Sequence, residues 1–224
     1  MPRLESPAPR TVDVAPARLD RWIAGFAERH GDYSVFAASD AMTLTAADGA
    51  TAAFTPALLP LPGGWAGDRP VKNFTAHALA PRIVGLLLVR LGGYAAGVFE
   101  GGRLVASKVG SRQVHGRSAA GGWSQQRFAR RREGQARVAL GAAADAAAAI
   151  LLPALPKLDV VVSGGDRPGL RAVLGDVRLL PLGPLVSTRV LDVADPKAQV
   201  LRESINAAMA VHVTITDPPG YQGR

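Results

Sequence analysis

Seven of the 22 arginines fall between residues 112 and 137, where Glu133 is the only acid. The segment carries Arg112, His115 and Arg117, then the small-residue stretch Ser118-Ala119-Ala120-Gly121-Gly122, then Trp123-Ser124-Gln125-Gln126-Arg127. On a helical wheel Arg127, Arg130, Arg131 and Arg137 share one arc. Ala129, Ala136, Ala139, Ala143, Ala147 and Ile150 share the opposite arc. That pattern predicts a helix with an apolar face of small side chains and a basic stripe toward solvent. Arginines with little acid beside them repel one another and raise the local potential, and an anionic surface such as RNA relieves both. The plainer reading is a solvated helix face. Arginine is abundant throughout and asparagine occurs only twice (Asn73, Asn206), a bias that GC-rich coding accounts for in part. Coding bias does not account for the local density.

The other chemistries are poorly served. No cysteine is present, which excludes disulfides, thiolate metal sites and a cysteine nucleophile. Four histidines (His30, His77, His115, His212) and no Gly-x-Ser-x-Gly elbow argue against Ser-His-Asp hydrolysis. No His or acid pairs occur at metal-ligand spacing, so neither metal nor cofactor is expected. Two-metal nuclease chemistry needs converging carboxylates, and Ile83–Arg90 contains none. Residues 163–169, Ser-Gly-Gly-Asp-Arg-Pro-Gly, lack the Gly-Lys-Ser/Thr of a phosphate loop. They read as a tight turn with Asp166 as helix N-cap and Pro168 in the first turn, or more sharply as an auxiliary RNA contact through Arg167 or Arg171.

The stretch from Gly121-Gly122-Trp123-Ser124-Gln125-Gln126 through Arg132 resembles the signature of the Vms-like release factors, particularly their actinobacterial branch. The resemblance covers roughly residues 82–216. It implies a ribonuclease-H-like domain similar to the central domain of the eukaryotic-type peptide-chain release factor. It also implies peptidyl-tRNA hydrolysis in the rescue of stalled ribosomes. The family motif puts a glutamine after a glycine-rich loop at the start of a basic helix, and Gln125 is the matching position. In release factors proper the glutamine directly follows Gly-Gly. Here Trp123 and Ser124 intervene, so the choice between Gln125 and Gln126 stays open. The implied roles are loop flexibility for Gly121 and Gly122, orientation of a water by Gln125 or Gln126, and RNA contact by Arg112, His115, Arg117, Trp123, Arg127, Arg130, Arg131 and Arg137. The implied partners are the large ribosomal subunit and peptidyl-tRNA, with other quality-control factors admitted. The alternative is a non-catalytic ribosome- or RNA-binding module using the same helix. A codon-reading termination factor fits less well, because no decoding module is evident.

These residues need elements to hold them. Ile83–Arg90 is a continuous apolar run, as in a buried central strand, and residues 94–100 and 103–109 follow as strands around the Gly101-Gly102 turn. A helix is expected over 124–151, stopped by Pro153, followed by a strand at 158–163, a helix at 167–174, a strand at 185–191 and a helix at 195–208. Residues 211–216 form a last strand or a tail. The fold class is therefore α/β with a mixed, ribonuclease-H-like sheet.

Upstream, residues 1–15 read as a frayed arm, 16–30 as a helix, and 33–38 and 42–46 as short strands. Three segments result: a small α+β extension over 1–80 with a Pro/Gly linker at 56–70, a catalytic domain over 81–216, and a tail at 217–224. The chain has 224 residues, 48% of them hydrophobic, a composition that folds. The apolar window 83–99 is broken by Arg90 and Gly92-Gly93, short of the roughly 20 residues a membrane span requires. No secretory signal is visible, so no membrane partner and a cytoplasmic location are expected.

Overall fold

The computed structural model describes residues 8–59, 69–90, 92–111 and 124–220, with the side chains of 124–133 excepted. By internal contact the chain forms two units, one of residues 1–80 with 206–224 and one of residues 81–205.

The first unit contains strand β1 (Arg10–Val14), helix α1 (Leu19–His30), strands β2 (Tyr33–Ala37), β3 (Met42–Ala46) and β4 (Thr51–Thr55), and helix α2 (Pro70–Leu79). Its sheet is antiparallel and is completed from the far end of the chain by β10 (Val211–Thr216), in the order β1-β10-β4-β3-β2. Leu19, Ile23, Phe26 and His30 recur at helical spacing on α1 and are all buried. Their partners are alternate residues of the strands (Met42 and Leu44, Ala52 and Phe54, Val211, Val213 and Ile215) together with Phe74 of α2. Trp22 meets Phe54 edge-on at 5.2 Å, and Phe54 meets Phe74 at 5.9 Å.

This unit departs from the sequence reading in several places. Residues 10–14, expected within a frayed arm, form β1 and pair with β10 from Arg10↔Ile215 to Val14↔Val211. Strand β10, expected at the end of the 81–216 segment, hydrogen-bonds between β1 and β4 instead. Asp217, placed in a tail, accepts from Arg10 Nε at 3.3 Å. Strand β4 and helix α2 were not anticipated. Most of the expected linker, residues 60–68, lies outside the described residues, and Pro70 opens α2.

The second unit contains β5 (Ile83–Arg90), β6 (Gly93–Glu100), β7 (Arg103–Ser111), α3 (Ser124–Leu151), β8 (Val160–Gly165), α4 (Arg167–Leu174) and β9 (Val186–Leu191), with α5 (Ala198–Met209) leading back to the first unit. Its sheet has the order β7-β6-β5-β8-β9. The first three strands are antiparallel, while β5, β8 and β9 run parallel. This is the mixed, ribonuclease-H-like layout read from the sequence. Gly101 and Gly102 turn β6 into β7 with φ of 55° and 85°, both in the left-handed region.

The central strand β5 is buried from Val84 to Val89 because the sheet is covered on both faces. On one face Leu87 and Val89 join Ala143, Ala147 and Leu151 of α3. On the other, Leu201 of α5 comes within 3.0 Å of where a Cβ on Gly97 would stand. Among the described residues no helix is long and apolar enough to cross a membrane.

Candidate nucleic-acid interface

Helix α3 spans Ser124–Leu151, the interval expected from the sequence. Gln and Arg in its first half and the alanine-rich run in its second favour helix, and Pro153 forbids its continuation. Among its described side chains the buried ones are Ala139, Ala143, Ala144, Ala146, Ala147 and Leu151, so over this stretch the small face rests on the sheet as the wheel predicts. Short side chains let the helix axis lie close to β5 and β6. Gly85 answers from the sheet side: a Cβ there would stand 3.1 Å from Leu151 Cδ2. The foot of α3 is thereby clasped to the central strand, and its start lies 27 residues away, roughly 40 Å at the helical rise of about 1.5 Å per residue.

The candidate site residues divide into three groups. Arg112, His115, Arg117, Gly121, Gly122 and Trp123 lie outside the described residues. Gln125, Gln126, Arg127, Arg130 and Arg131 lie in the first turns of α3, where the helix is described and the side chains are not. Arg137 is described, and it is exposed. It borders a hollow of about 520 Å³ between α3 and α4, together with Gly141, Ala172 and Asp176.

The electrostatic frame follows from the division into units. Residues 81–205 hold 18 Lys and Arg against 9 Asp and Glu, a net +9, and the remaining residues hold 8 against 9, a net −1. The basic excess of the whole chain, +8, thus belongs to the unit that carries α3. Acids in that unit are partly committed elsewhere. Asp145 on α3 and Asp176 after α4 both bind Arg178, at 2.9 Å and 2.7 Å. The Arg178 side chain and backbone N–H hold the Asp176 carboxyl down at about 2, against the opposing effect of burial. The same partners push the guanidinium pKa of Arg178 upward. Both carboxylates thus turn to Arg178, and neither makes an ion pair with Arg137.

The turn at 163–169 has the form expected of it. Asp166 Oδ2 accepts from Gly169 N at 2.9 Å, capping α4, and Asp166 N donates to Val89 O at 2.7 Å. Both Arg167 and Arg171 are exposed. Sequence reasoning missed a second hollow beside this turn, lined by Val89, Arg90, Tyr94, Leu140 and Asp166 among others, with a volume of about 190 Å³. Only the position of Arg90 at the end of an apolar run hinted at it. It also missed His30, which sits inside the first unit with Nδ1 2.9 Å from Asp48 Oδ2. The signal available was its place on the apolar stripe of α1. Among the described residues no group of three or more His, Asp or Glu side chains could hold a metal ion.

Residues 82–214, more than half of the chain, match the family model described as Actinobacteria/chloroflexi VLRF1 release factor. No curated protein matches. Solved structures similar to the chain include an archaeal translation termination factor, aRF1, at 14% identity and TM-score 0.43, covering 74% of this chain and 48% of that one. Another, described as an archaeal protein, is 15% identical with TM-score 0.39, over 72% of this chain and 48% of that one. The Vms1 mitochondrial localization core is 11% identical with TM-score 0.41, over 88% and 80%. The chain thus spans about half the length of the two archaeal chains.

Proposed function

We propose, from the premise that this chain belongs to the Actinobacteria/chloroflexi VLRF1 release factor family, that it is a peptidyl-tRNA hydrolase that frees nascent chains from stalled ribosomes. The observation that carries the reading is the coincidence on α3 of a glutamine-bearing start and a run of arginines that ends in the exposed Arg137, within a unit of net +9. The partners are then the large ribosomal subunit and peptidyl-tRNA, met in the cytoplasm, with quality-control factors alongside.

The substrate is the ester between the nascent peptide and the 3′ end of tRNA. Such an ester is already activated, so the protein supplies no nucleophile. It positions one water, excludes others, and stabilises the oxyanion. Water oxygen bonds to the ester carbon, the bond from that carbon to the tRNA oxygen breaks, and the water proton passes to the departing tRNA hydroxyl. Gln125 or Gln126, through its amide or backbone N–H, orients the water at the N-terminal end of α3. That end of a helix offers unpaired N–H donors and the positive pole of the dipole. Gly121 and Gly122 allow the preceding loop to enter a narrow RNA cavity. Arg127, Arg130, Arg131 and Arg137 hold phosphates, and Arg112, His115, Arg117 and Trp123 contact RNA on the loop's entry side.

The test mixes the full chain with large subunits carrying labelled peptidyl-tRNA and measures freed peptide alongside co-sedimentation. Release at catalytic amounts of protein is the expected result. Co-sedimentation with no release would leave only a non-catalytic binding module.

A further inference from the structure

The hollow of about 190 Å³ opens at the carboxyl ends of the parallel strands β5 and β8, the place where α/β sheets take ligands. It exists because α3 presents alanines there and because Gly169 lets α4 approach β5. A Cβ at Gly169 would stand 3.1 Å from Val89 Cγ1 and 2.9 Å from Asp166 Oδ2. The walls are apolar, from Val89, Ala139 and Leu140, with the Tyr94 ring as the aromatic member. That ring lies across Gly110 of β7, where any side chain would collide with it. The polar groups are few. Arg90 is held in place by donating to Val193 O at 2.6 Å, and Asp166 borders the turn into α4.

The rim is cationic. The larger hollow bordered by Arg137 shares Ala136 and Leu140 with this one, so Arg137 stands on the adjoining stretch of α3. Arg167 is exposed in the first turn of α4, one residue from Asp166 and Pro168. Among the described residues no ion pair engages Arg90, Arg137 or Arg167. A purely aliphatic ligand would leave these cations and Asp166 unused. A free anion would leave the apolar walls unused and would face the Asp166 carboxylate. A nucleotide within a strand uses all of them: base between apolar walls and the tyrosine, amino groups toward Asp166, flanking phosphates on the arginines.

We propose that this hollow takes one unpaired base of an RNA strand whose phosphates lie on Arg137 and Arg167. The inference rests on the RNA-facing reading above and adds to it a site for a base, distinct from the start of α3.

Binding of the full chain to a fluorescently labelled single-stranded oligoadenylate, titrated at several salt concentrations, tests it. Ala136→Phe fills the hollow from a half-buried helix position, and Tyr94→Leu removes the ring while keeping bulk. Each is expected to weaken binding roughly 5- to 150-fold, the loss of one stacked base, with the salt slope unchanged. Arg137→Ala is expected to lower that slope by about 0.7, as loss of one phosphate contact on a single strand does. Wild-type affinity in both hollow variants would overturn the base site while leaving RNA binding intact, and no RNA binding by the wild type would overturn both readings. Photocrosslinking of wild-type protein to RNA carrying 4-thiouridine keeps the test independent of how the variants fold. An adduct on the peptide containing Tyr94 or on residues 136–143 supports the site. Adducts confined to other segments contradict it.

Discussion

The clasp between Leu151 and Gly85 makes a specific claim about what holds α3 to its sheet. Leu151 is fully buried, and its Cδ2 lies 3.1 Å from the position of a Cβ on Gly85; Val161 Cγ2 lies 3.3 Å from the same point. Leu151→Ala removes a buried leucine from a site walled by strands, which costs about 2–5 kcal/mol through lost burial and the cavity left behind. Gly85→Ala inserts a methyl against two side chains that must each give by a few tenths of an ångström, a cost of about 1–3 kcal/mol. Against this stands a gain of about 0.5–1 kcal/mol, because alanine loses less backbone freedom than glycine in a strand. In the double variant the shortened side chain at 151 clears the nearest contact, and the new methyl occupies part of the cavity. The cost of the double variant should then fall short of the sum of the two single costs by roughly 0.5–1.5 kcal/mol, the coupling of residues in contact. Urea denaturation followed by far-UV circular dichroism on all four proteins measures it. Additivity within about 0.3 kcal/mol would refute the clasp, and so would a Leu151→Ala cost below about 1 kcal/mol.

Three further outcomes follow from the geometry. Asp166→Ala removes the acceptor for Gly169 N and should cost about 1 kcal/mol in the same denaturation assay, with Asp166→Asn recovering most of it. Asp176 is held at about 2 instead of the ordinary 3.8, so the stability it adds is present above that ordinary value and is lost as pH falls toward 2; Arg178→Ala should flatten this part of the acid limb in urea midpoints taken from pH 5 to 2. Asp48→Ala takes one hydrogen-bond partner from the buried ring of His30 and the acceptor from Ala50 N, and urea titration should show a loss of about 1–3 kcal/mol.

The second unit was legible in the sequence because its signals are local. A continuous apolar run, a Gly-Gly turn and a capped helix start each name their own element, and β5, the β6–β7 turn and α4 formed where those signals stood. The first unit was harder for a physical reason. Alternation of Val211, Val213 and Ile215 marks β10 as a half-buried strand, but it does not say which sheet accepts it. Its partner β1 begins some 200 residues earlier, and short polar strands at such separation carry no local mark of each other. The Pro70 that opens α2 was a usable start signal, overshadowed by the prolines and glycines before it. The basic stripe was visible as a pattern, and the structure sharpened it by placing the whole basic excess of the chain in one unit. The base-sized hollow was not legible, since Arg90, Tyr94, Leu140 and Asp166 come from separate elements and meet only when the sheet closes.

The claim at the centre of this account is that a glutamine at the start of α3 directs water onto the ester of peptidyl-tRNA. The most direct measurement is the single-turnover rate of peptide release from peptidyl-tRNA on isolated large subunits, for wild type, Gln125→Ala and Gln126→Ala at equal ribosome occupancy. The account predicts that one of the two substitutions lowers the rate by about 100-fold or more, the scale of losing an oriented catalytic donor, while occupancy stays near that of wild type. Release at the wild-type rate from both variants would contradict it.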